Sequence, residues 1–351
     1  MHRCCPLGRW SYWRCTLLCA CLAFLPHLLS LALSLAMLLM TIPGCPAEVR
    51  ELELWRDEPH ELPLHVVYAG DASFFPGLLH SMLSLARNLE RPEACTIHLV
   101  VAREELLQAE DVADCFRREF ADAPVMPRVV LHELRPLPFN ASGFVANNLP
   151  INRRMANPYT FVRFYLHEYL PAVRRALWLD MDTIVKADIA PLFRMVMRHP
   201  LAAAHSTVPL WTAFWWRFHV PSAREHFKED AATFNAGVLV QDLERWRAEN
   251  ISRSLEGWLA VTKGTLSDQA ALVLEFQGRF DVLDWRWNFY QFNLLMSSSC
   301  TSEALILHYP GDVKPWNSGA RPFKSFHQYG PRSACSALNW THSSRQSMGT
   351  E

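Results

Sequence analysis

The run Ala176-Leu-Trp-Leu179 constrains the chain most, because it is short, wholly apolar and ends in Asp180-Met-Asp182. Bounded in this way it reads as a buried strand. On an extended segment the side chains at i and i+2 point to one side, so both carboxylates are expected to face the same space beyond the strand. Like charges so close repel and raise one carboxyl pKa unless a cation lies between them, and a divalent ion accepts two carboxylates. A solvated turn after a strand gives the same local pattern. The flanking segments decide between the two.

Those segments alternate. His65–Ala69, Thr96–Ala102 and Arg128–Leu131 read as strands. Between them a helix starts at Pro76, with Leu79, Met82, Leu83 and Ala86 on one face, and a second helix covers Glu104–Phe120. This is the pattern of an α/β fold, a parallel sheet with helical crossovers. Such sheets bind ligands beyond the carboxyl ends of their strands, where Asp71 and Asp180 both stand. Further on, Tyr159–Leu170 reads as a helix carrying Arg163 among aromatics, and Ala187–Arg198 as another. Leu201–Ala204 reads as a strand, Leu243–Leu259 as an amphipathic helix and Ala304–Leu307 as a last strand. Ser267 is a candidate N-cap for a helix opened by Asp268-Gln269, and a capping loop accounts for Asp268 as well as a functional role does. Leu134–Pro158 is polar and rich in Pro and Asn, a loop. The aromatics of Trp211–Phe218 suit core packing and the floor of a sugar site equally.

Ahead of this domain Thr16–Ile42 is almost wholly apolar and exceeds the ~20 residues that a helix needs to cross a bilayer. Arg3, Arg9 and Arg14 precede it and no basic cluster follows closely, so the N-terminus is expected to stay in the cytosol and the bulk to lie in a lumen. A cleaved signal peptide is the rival reading, but its apolar core runs to only about 7–15 residues. The expected organisation is a cytoplasmic tail over 1–15, a transmembrane signal anchor over 16–42, a charged stem over 43–63, a folded domain over 64–317 and a C-terminal extension over 318–351. The sequons at Asn140, Asn250 and Asn339 agree with a lumenal bulk. Cys4 and Cys5 are placed for palmitoylation. Cys45, Cys95, Cys115, Cys300 and Cys335 follow the span, an odd set of which at least one stays free or pairs between chains. No Cys-x-x-Cys pair argues for zinc. A net charge of −1 leaves no bulk basic surface for nucleic acid.

His308 follows the last strand and shares one loop with Gly311 and Lys314. Imidazole and carboxylates together accept Mn²⁺, and lysine offers phosphate a point charge. The combination suits a metal bound to a diphosphate. Gly237, before the apolar Val238-Leu-Val240, permits close backbone approach, and Asn235 can hydrogen-bond a hydroxyl.

Taken in order, these blocks resemble glycosyltransferase family 8, which includes galactosyl-, galacturonosyl-, glucosyl- and xylosyltransferases. The blocks are Tyr68-Ala-Gly-Asp71, Phe161-Val-Arg-Phe-Tyr-Leu166, Leu179-Asp-Met-Asp182, Phe234-Asn-Ala-Gly237 with Asp268-Gln269, and His308-x-x-Gly-x-x-Lys-Pro-Trp316. The resemblance implies a GT-A fold, a Rossmann-like mixed sheet flanked by helices. It implies a UDP-sugar donor, Mn²⁺ and retention of anomeric configuration. By position it implies that Asp180, Asp182 and His308 ligate the metal and that Lys314 and Gly311 hold the phosphates. Ala69 to Asp71 would then face the nucleoside, and Arg163, Asn235, Asp268 and Gln269 would surround the donor sugar. Gln269 could stabilise positive charge at the reacting carbon and Asp268 could act as nucleophile. Same-face attack and double displacement stay open. The acceptor, a glycan or glycoprotein, is not named by any block. Short stems behind signal anchors place such enzymes in the Golgi membrane by analogy. A sugar-nucleotide or glycan-binding protein that has lost turnover is the alternative, against which the intact metal set argues. In a glycoside hydrolase the carboxylates flank a bond at about 5–9 Å, too far apart for Asp180 and Asp182.

Overall fold

The computed structural model describes residues 63–141, 157–206, 224–228, 231–261, 268–290, 298–310, 314–316, 324–332 and 335. The expected tail and anchor over 1–42, the stem up to residue 62, Trp211–Phe218, Ser267 and Gly311 lie outside them. Among the described residues no helix is long and apolar enough to cross a membrane.

The strands are β1 (Leu64–Ala69), β2 (Cys95–Val101), β3 (Arg128–Glu133), β4 (Arg175–Leu179), β5 (Thr183–Val185), β6 (Leu201–His205), β7 (Phe234–Asp242), β8 (Asp281–Leu283), β9 (Phe289–Tyr290) and β10 (Ile306–His308). The helices are α1 (Phe75–Asn88), α2 (Leu106–Glu119), α3 (Leu166–Tyr169), α4 (Ala190–Arg194), α5 (Leu243–Ala248), α6 (Ile251–Val261), α7 (Asp268–Glu275), α8 (Ser298–Glu303) and α9 (Lys324–His327). One sheet runs β3-β2-β1-β4-β7-β6-β8 and a smaller one β5-β10-β9. The alternating first half is parallel as expected, with β1 between β2 and β4. Beyond β4 the sheet becomes mixed, because β7 runs antiparallel to both β4 and β6. The result is a GT-A-like α/β fold. Two apolar cores cover its faces, one built on Tyr68, Phe75 and Phe116 and the other on Phe161, Trp178 and Trp246.

Topology builds the functional edge. Antiparallel pairing sets Leu179 opposite Val238, so the start of β7, Phe234-Asn-Ala-Gly237, lies beside the end of β4. The chain then turns through Asp180–Asp182 into β5, which pairs with β10 so that Thr183 faces His308. The aspartates therefore sit in a turn between two sheets, not on the extended segment the sequence suggested. Buried hydroxyls hold that turn. Thr183 Oγ1 donates to the Asp180 carbonyl at 2.9 Å, which leaves it to accept from Ser81 Oγ at 2.9 Å, and Tyr68 is 3.0 Å from the same serine.

Three expected helices differ. Tyr159–Leu170 is a 3-10 segment, Pro158–Phe164, followed by α3, with Asn157 Oδ1 capping Tyr159 N–H at 3.0 Å. Ala187–Arg198 shortens to α4, where the buried Arg175 guanidinium binds the Phe193 and Met195 carbonyls and ends the helix. Leu243–Leu259 breaks into α5 and α6 at Asn250, whose φ of 56° is left-handed, a conformation that Asn tolerates. Past Trp316, the described residues bind back to the first half. Cys335 is disulfide-bonded to Cys115 of α2, Arg87 Nη1 donates to the Tyr329 carbonyl at 3.1 Å, and Phe326 stacks on His80 at 4.3 Å. Cys300 is also disulfide-bonded and Cys95 is free and buried.

His65, His98 and His132 form a ladder across β1, β2 and β3, with nitrogens 3.0 and 2.9 Å apart. Burial lowers all three pKa values, and His98 falls to about 3 with neighbouring cationic groups adding to the effect. An unfolded histidine titrates near 6.5, so below that pH the unfolded chain takes up protons that the ladder refuses. Stability is therefore fully present above about pH 6.5 and falls as the pH drops. The urea midpoint should decline from pH 6.5 to 5, less steeply in His98→Gln; equal slopes would remove the ladder from the account.

Candidate active site

The Asp180–Asp182 turn is fixed on both sides. Asp180 N–H donates to the Gly237 carbonyl at 2.8 Å and Tyr309 N–H to the Asp182 carbonyl at 2.9 Å. The side chains follow one rule: each commits one atom to a neighbour and turns the other inward. Asp180 Oδ1 accepts from Trp178 Nε1 at 2.7 Å and from Arg163 Nη2 at 3.0 Å, while Oδ2 lies 3.6 Å from His308 Nε2. Asp182 Oδ2 is paired with Lys314 Nζ, while Oδ1 lies 3.3 Å from the same His308 nitrogen. His308 Nδ1 is 3.0 Å from Asn288 Oδ1. Asp182 is 5% exposed and His308 3%. Their inward atoms, Oδ1 and Nε2, have no hydrogen-bond partner. Buried polar atoms are almost always satisfied, so two orphans facing each other indicate a missing partner. Ligand atoms of Asp180, Asp182 and His308 all lie within 4.8 Å of one another, and two carboxylates with one imidazole suit a divalent metal.

Positive charge surrounds the set. Arg163 is buried over the Trp178 ring at 4.5 Å, donates to the Ala236 carbonyl at 2.5 Å and pairs with Asp268 Oδ2 at 3.3 Å as well as with Asp180. Burial pushes the Asp268 carboxyl up, with Arg163 opposing. Burial also works against ionisation of Asp182, yet that carboxyl is held below the usual range by its charged surroundings, with Lys314 paired directly to it. Lys314 also donates to the Tyr309 carbonyl at 3.1 Å and lies 5.5 Å over the Phe74 ring, and Trp316 Nε1 donates to the Ser73 carbonyl at 3.2 Å. The lysine loop is thus docked on the turn after β1.

Other expected site residues take definite places. Ala69 ends β1, and Asp71 caps the following 3-10 turn by accepting from Ser73 N–H at 2.9 Å. Asn235 Oδ1 accepts from Gly237 N–H at 2.8 Å, and Gln269 Oε1 accepts from Ala236 N–H at 3.0 Å. Asp268 opens α7, directly behind Arg163. Sequence reasoning missed Asn288 and Trp178, which contact His308 and Asp180, and Glu105, which joins Ala72 N–H at 2.9 Å to the Tyr159 hydroxyl at this edge. Nothing local marks Asn288, since its partners Asn235 and His308 lie on other strands. Trp178 could have been found: it stands near the end of the strand only two residues before Asp180, within reach of its carboxylate.

A mixed α/β sheet with a candidate divalent-cation site at its strand ends suits a glycosyltransferase. The family model Glycosyl transferase family 8 matches residues 65–320, and the chain belongs to that family. It is 26% identical over 272 residues, 72% of this chain and 67% of the relative, to Probable galacturonosyltransferase-like 9 of Arabidopsis thaliana. It is 28% identical over 192 residues, 46% of this chain and 52% of the relative, to Glycosyltransferase 8 domain-containing protein 1 of Homo sapiens. Among solved structures, the galactosyltransferase LgtC in complex with donor and acceptor sugar analogs shares the fold, at TM-score 0.55 and 19% identity over 76% of this chain and 95% of that one.

Gly237 makes room for His308. A Cβ there would lie 2.1 Å from His308 Cε1 and 2.6 Å from Nδ1. Gly237→Ala should keep the circular dichroism of the wild type and lose measurable Mn²⁺ binding in calorimetry. Gly257→Ala, on α6 with open space around it, should leave Mn²⁺ binding unchanged and add about 0.5–1 kcal/mol of stability. Unchanged Mn²⁺ affinity in Gly237→Ala would detach His308 from the cation site.

Proposed function

We propose that the protein is a retaining, Mn²⁺-dependent transferase that moves a hexosyl or related residue from a UDP-sugar to a glycan or glycoprotein acceptor. The observation that carries this reading is the convergence of Asp180 Oδ2, Asp182 Oδ1 and His308 Nε2, with Lys314 at their edge. Those three atoms would hold the cation. When bound, it would neutralise the diphosphate and the charge that grows on it as the anomeric bond breaks. Lys314 already lies at Asp182 and would exchange that carboxylate oxygen for a phosphate oxygen, a point charge on the leaving group. Gly311 would hold the phosphates beside it, and Ala69 to Asp71 would face the nucleoside.

Arg163 would keep Asp180 and Asp268 oriented, and Asn235, Asp268 and Gln269 would surround the donor sugar. The Gln269 carbonyl oxygen has a second lone pair beyond the one facing Ala236 N–H, available to positive charge at the reacting carbon. Asp268 as nucleophile would first have to leave its buried pairing with Arg163, which favours same-face attack. The Cys115–Cys335 disulfide and the apolar 16–42 segment support a single-pass type II enzyme of the Golgi membrane with its catalytic domain in the lumen.

Hydrolysis of a panel of UDP-sugars, with and without Mn²⁺, tests this reading and names the donor. Turnover should require the metal, and Asp182→Asn should nearly abolish it with the fold intact. His308→Ala should recover partly at high Mn²⁺. Lys314→Ala should lose about 10²–10³ in rate, about 2–4 kcal/mol of barrier, whatever the Mn²⁺ concentration. Wild-type turnover by Asp182→Asn, or identical Mn²⁺ responses of the His308 and Lys314 variants, would contradict the assignment.

A further inference from the structure

Asn288 lies in the 3-10 turn Trp285–Asn288, immediately before β9, and is 2% exposed. Nothing in the reaction proposed above uses it, yet all its side-chain contacts lead to the site. Its Oδ1 is 3.0 Å from His308 Nδ1. Its Nδ2 lies 3.2 Å from the Asn235 carbonyl and 3.1 Å from Asn235 Oδ1. These contacts fix the direction of every hydrogen bond in the chain. Asn235 Oδ1 already accepts from Gly237 N–H at 2.8 Å, so it is the carbonyl oxygen and can only accept from Asn288. The nitrogen of Asn288 must therefore point at Asn235, and its oxygen at His308. An oxygen there requires a proton on His308 Nδ1.

We propose that Asn288 is a positioning residue that locks His308 in the Nδ1–H tautomer and so turns the Nε2 lone pair toward Asp180 and Asp182. A neutral imidazole carries one proton and ligates through the other nitrogen. With the proton held at Nδ1, Nε2 has nothing to donate to the carboxylate oxygens 3.3 and 3.6 Å away. Three lone-pair-bearing atoms then face one space, an arrangement that a cation completes. Ligating histidines are commonly held through their second nitrogen, and loss of such a partner weakens metal binding about 10–100-fold. The lock also ties the histidine to β7, because Gly237 supplies both the amide that orients Asn235 and the space into which the imidazole fits. One strand thereby sets the position of His308 and, through the amide of Asp180, that of the acidic turn.

This inference rests on the proposed cation site, and its test separates the two. Long-range proton–nitrogen spectra of the full-length, metal-free protein report the His308 tautomer directly, with the resonance assigned by its loss in His308→Gln. The wild type should show Nδ1 protonated and Nε2 bare. Asn288→Leu keeps the side-chain size but removes the acceptor and should shift His308 to a mixture of tautomers, with Mn²⁺ affinity about 10–100-fold weaker in calorimetry. Asn288→Asp restores an oxygen facing Nδ1 and should recover the wild-type tautomer and part of the affinity. A wild-type His308 protonated on Nε2 with Nδ1 bare would overturn the proposal without any variant. So would an Asn288→Leu protein that keeps both the tautomer and the Mn²⁺ affinity. If the wild type binds no Mn²⁺ while the tautomer still depends on Asn288, the cation reading of the site fails and the lock stands.

Discussion

Two carboxylates and an imidazole meet at one point, Asp182 and His308 buried and Asp180 partly exposed, and most of the surrounding structure answers the cost of that meeting. A buried charge without a partner costs several kcal/mol. The fold meets this by giving each member a dedicated partner: Arg163 and Trp178 for Asp180, Lys314 for Asp182, and Asn288 for His308. Each partner takes one atom and leaves the other facing inward. The inward atoms thus lie within 4.8 Å of one another, an arrangement that suits a divalent cation.

The partners come from distant parts of the chain, and the sheet topology brings them together. Antiparallel pairing of β7 with β4 sets Asn235 and Gly237 at the edge where the acidic turn begins. The small sheet brings His308 beside Thr183 through β10 and Asn288 to the neighbouring strand through β9. Arg163 arrives in a 3-10 segment and not an α-helix, and there its guanidinium reaches Asp180, Asp268 and the Ala236 carbonyl together. The lysine loop lies on the turn after β1, and the residues beyond it return to α1 and α2, where the Cys115–Cys335 disulfide secures them.

Much of this was legible in the sequence where the signal is local. The parallel half announces itself through alternating apolar strands and amphipathic helices, and Asp180, Asp182, His308 and Lys314 stand out as chemistry at strand ends. What escaped depends on pairings distant in sequence. β5 and β9 are too short to show a period, and they exist because β10 offers them edges. Ala187–Arg198 looks helical until the buried Arg175 takes its terminal carbonyls, and Leu243–Leu259 until Asn250 adopts a left-handed conformation. Asn288 has no pattern of its own, because its importance lies in which strands flank it.

The central claim is that Asp180, Asp182 and His308 offer their unpartnered atoms to one divalent cation, with Lys314 reserved for the donor. Anomalous diffraction from crystals grown with Mn²⁺ and UDP tests it most directly. The account predicts one Mn²⁺ peak bounded by Asp180 Oδ2, Asp182 Oδ1 and His308 Nε2, with Lys314 moved from Asp182 to the diphosphate. A Mn²⁺ peak away from these atoms, or UDP bound with Lys314 still paired to Asp182, would contradict it.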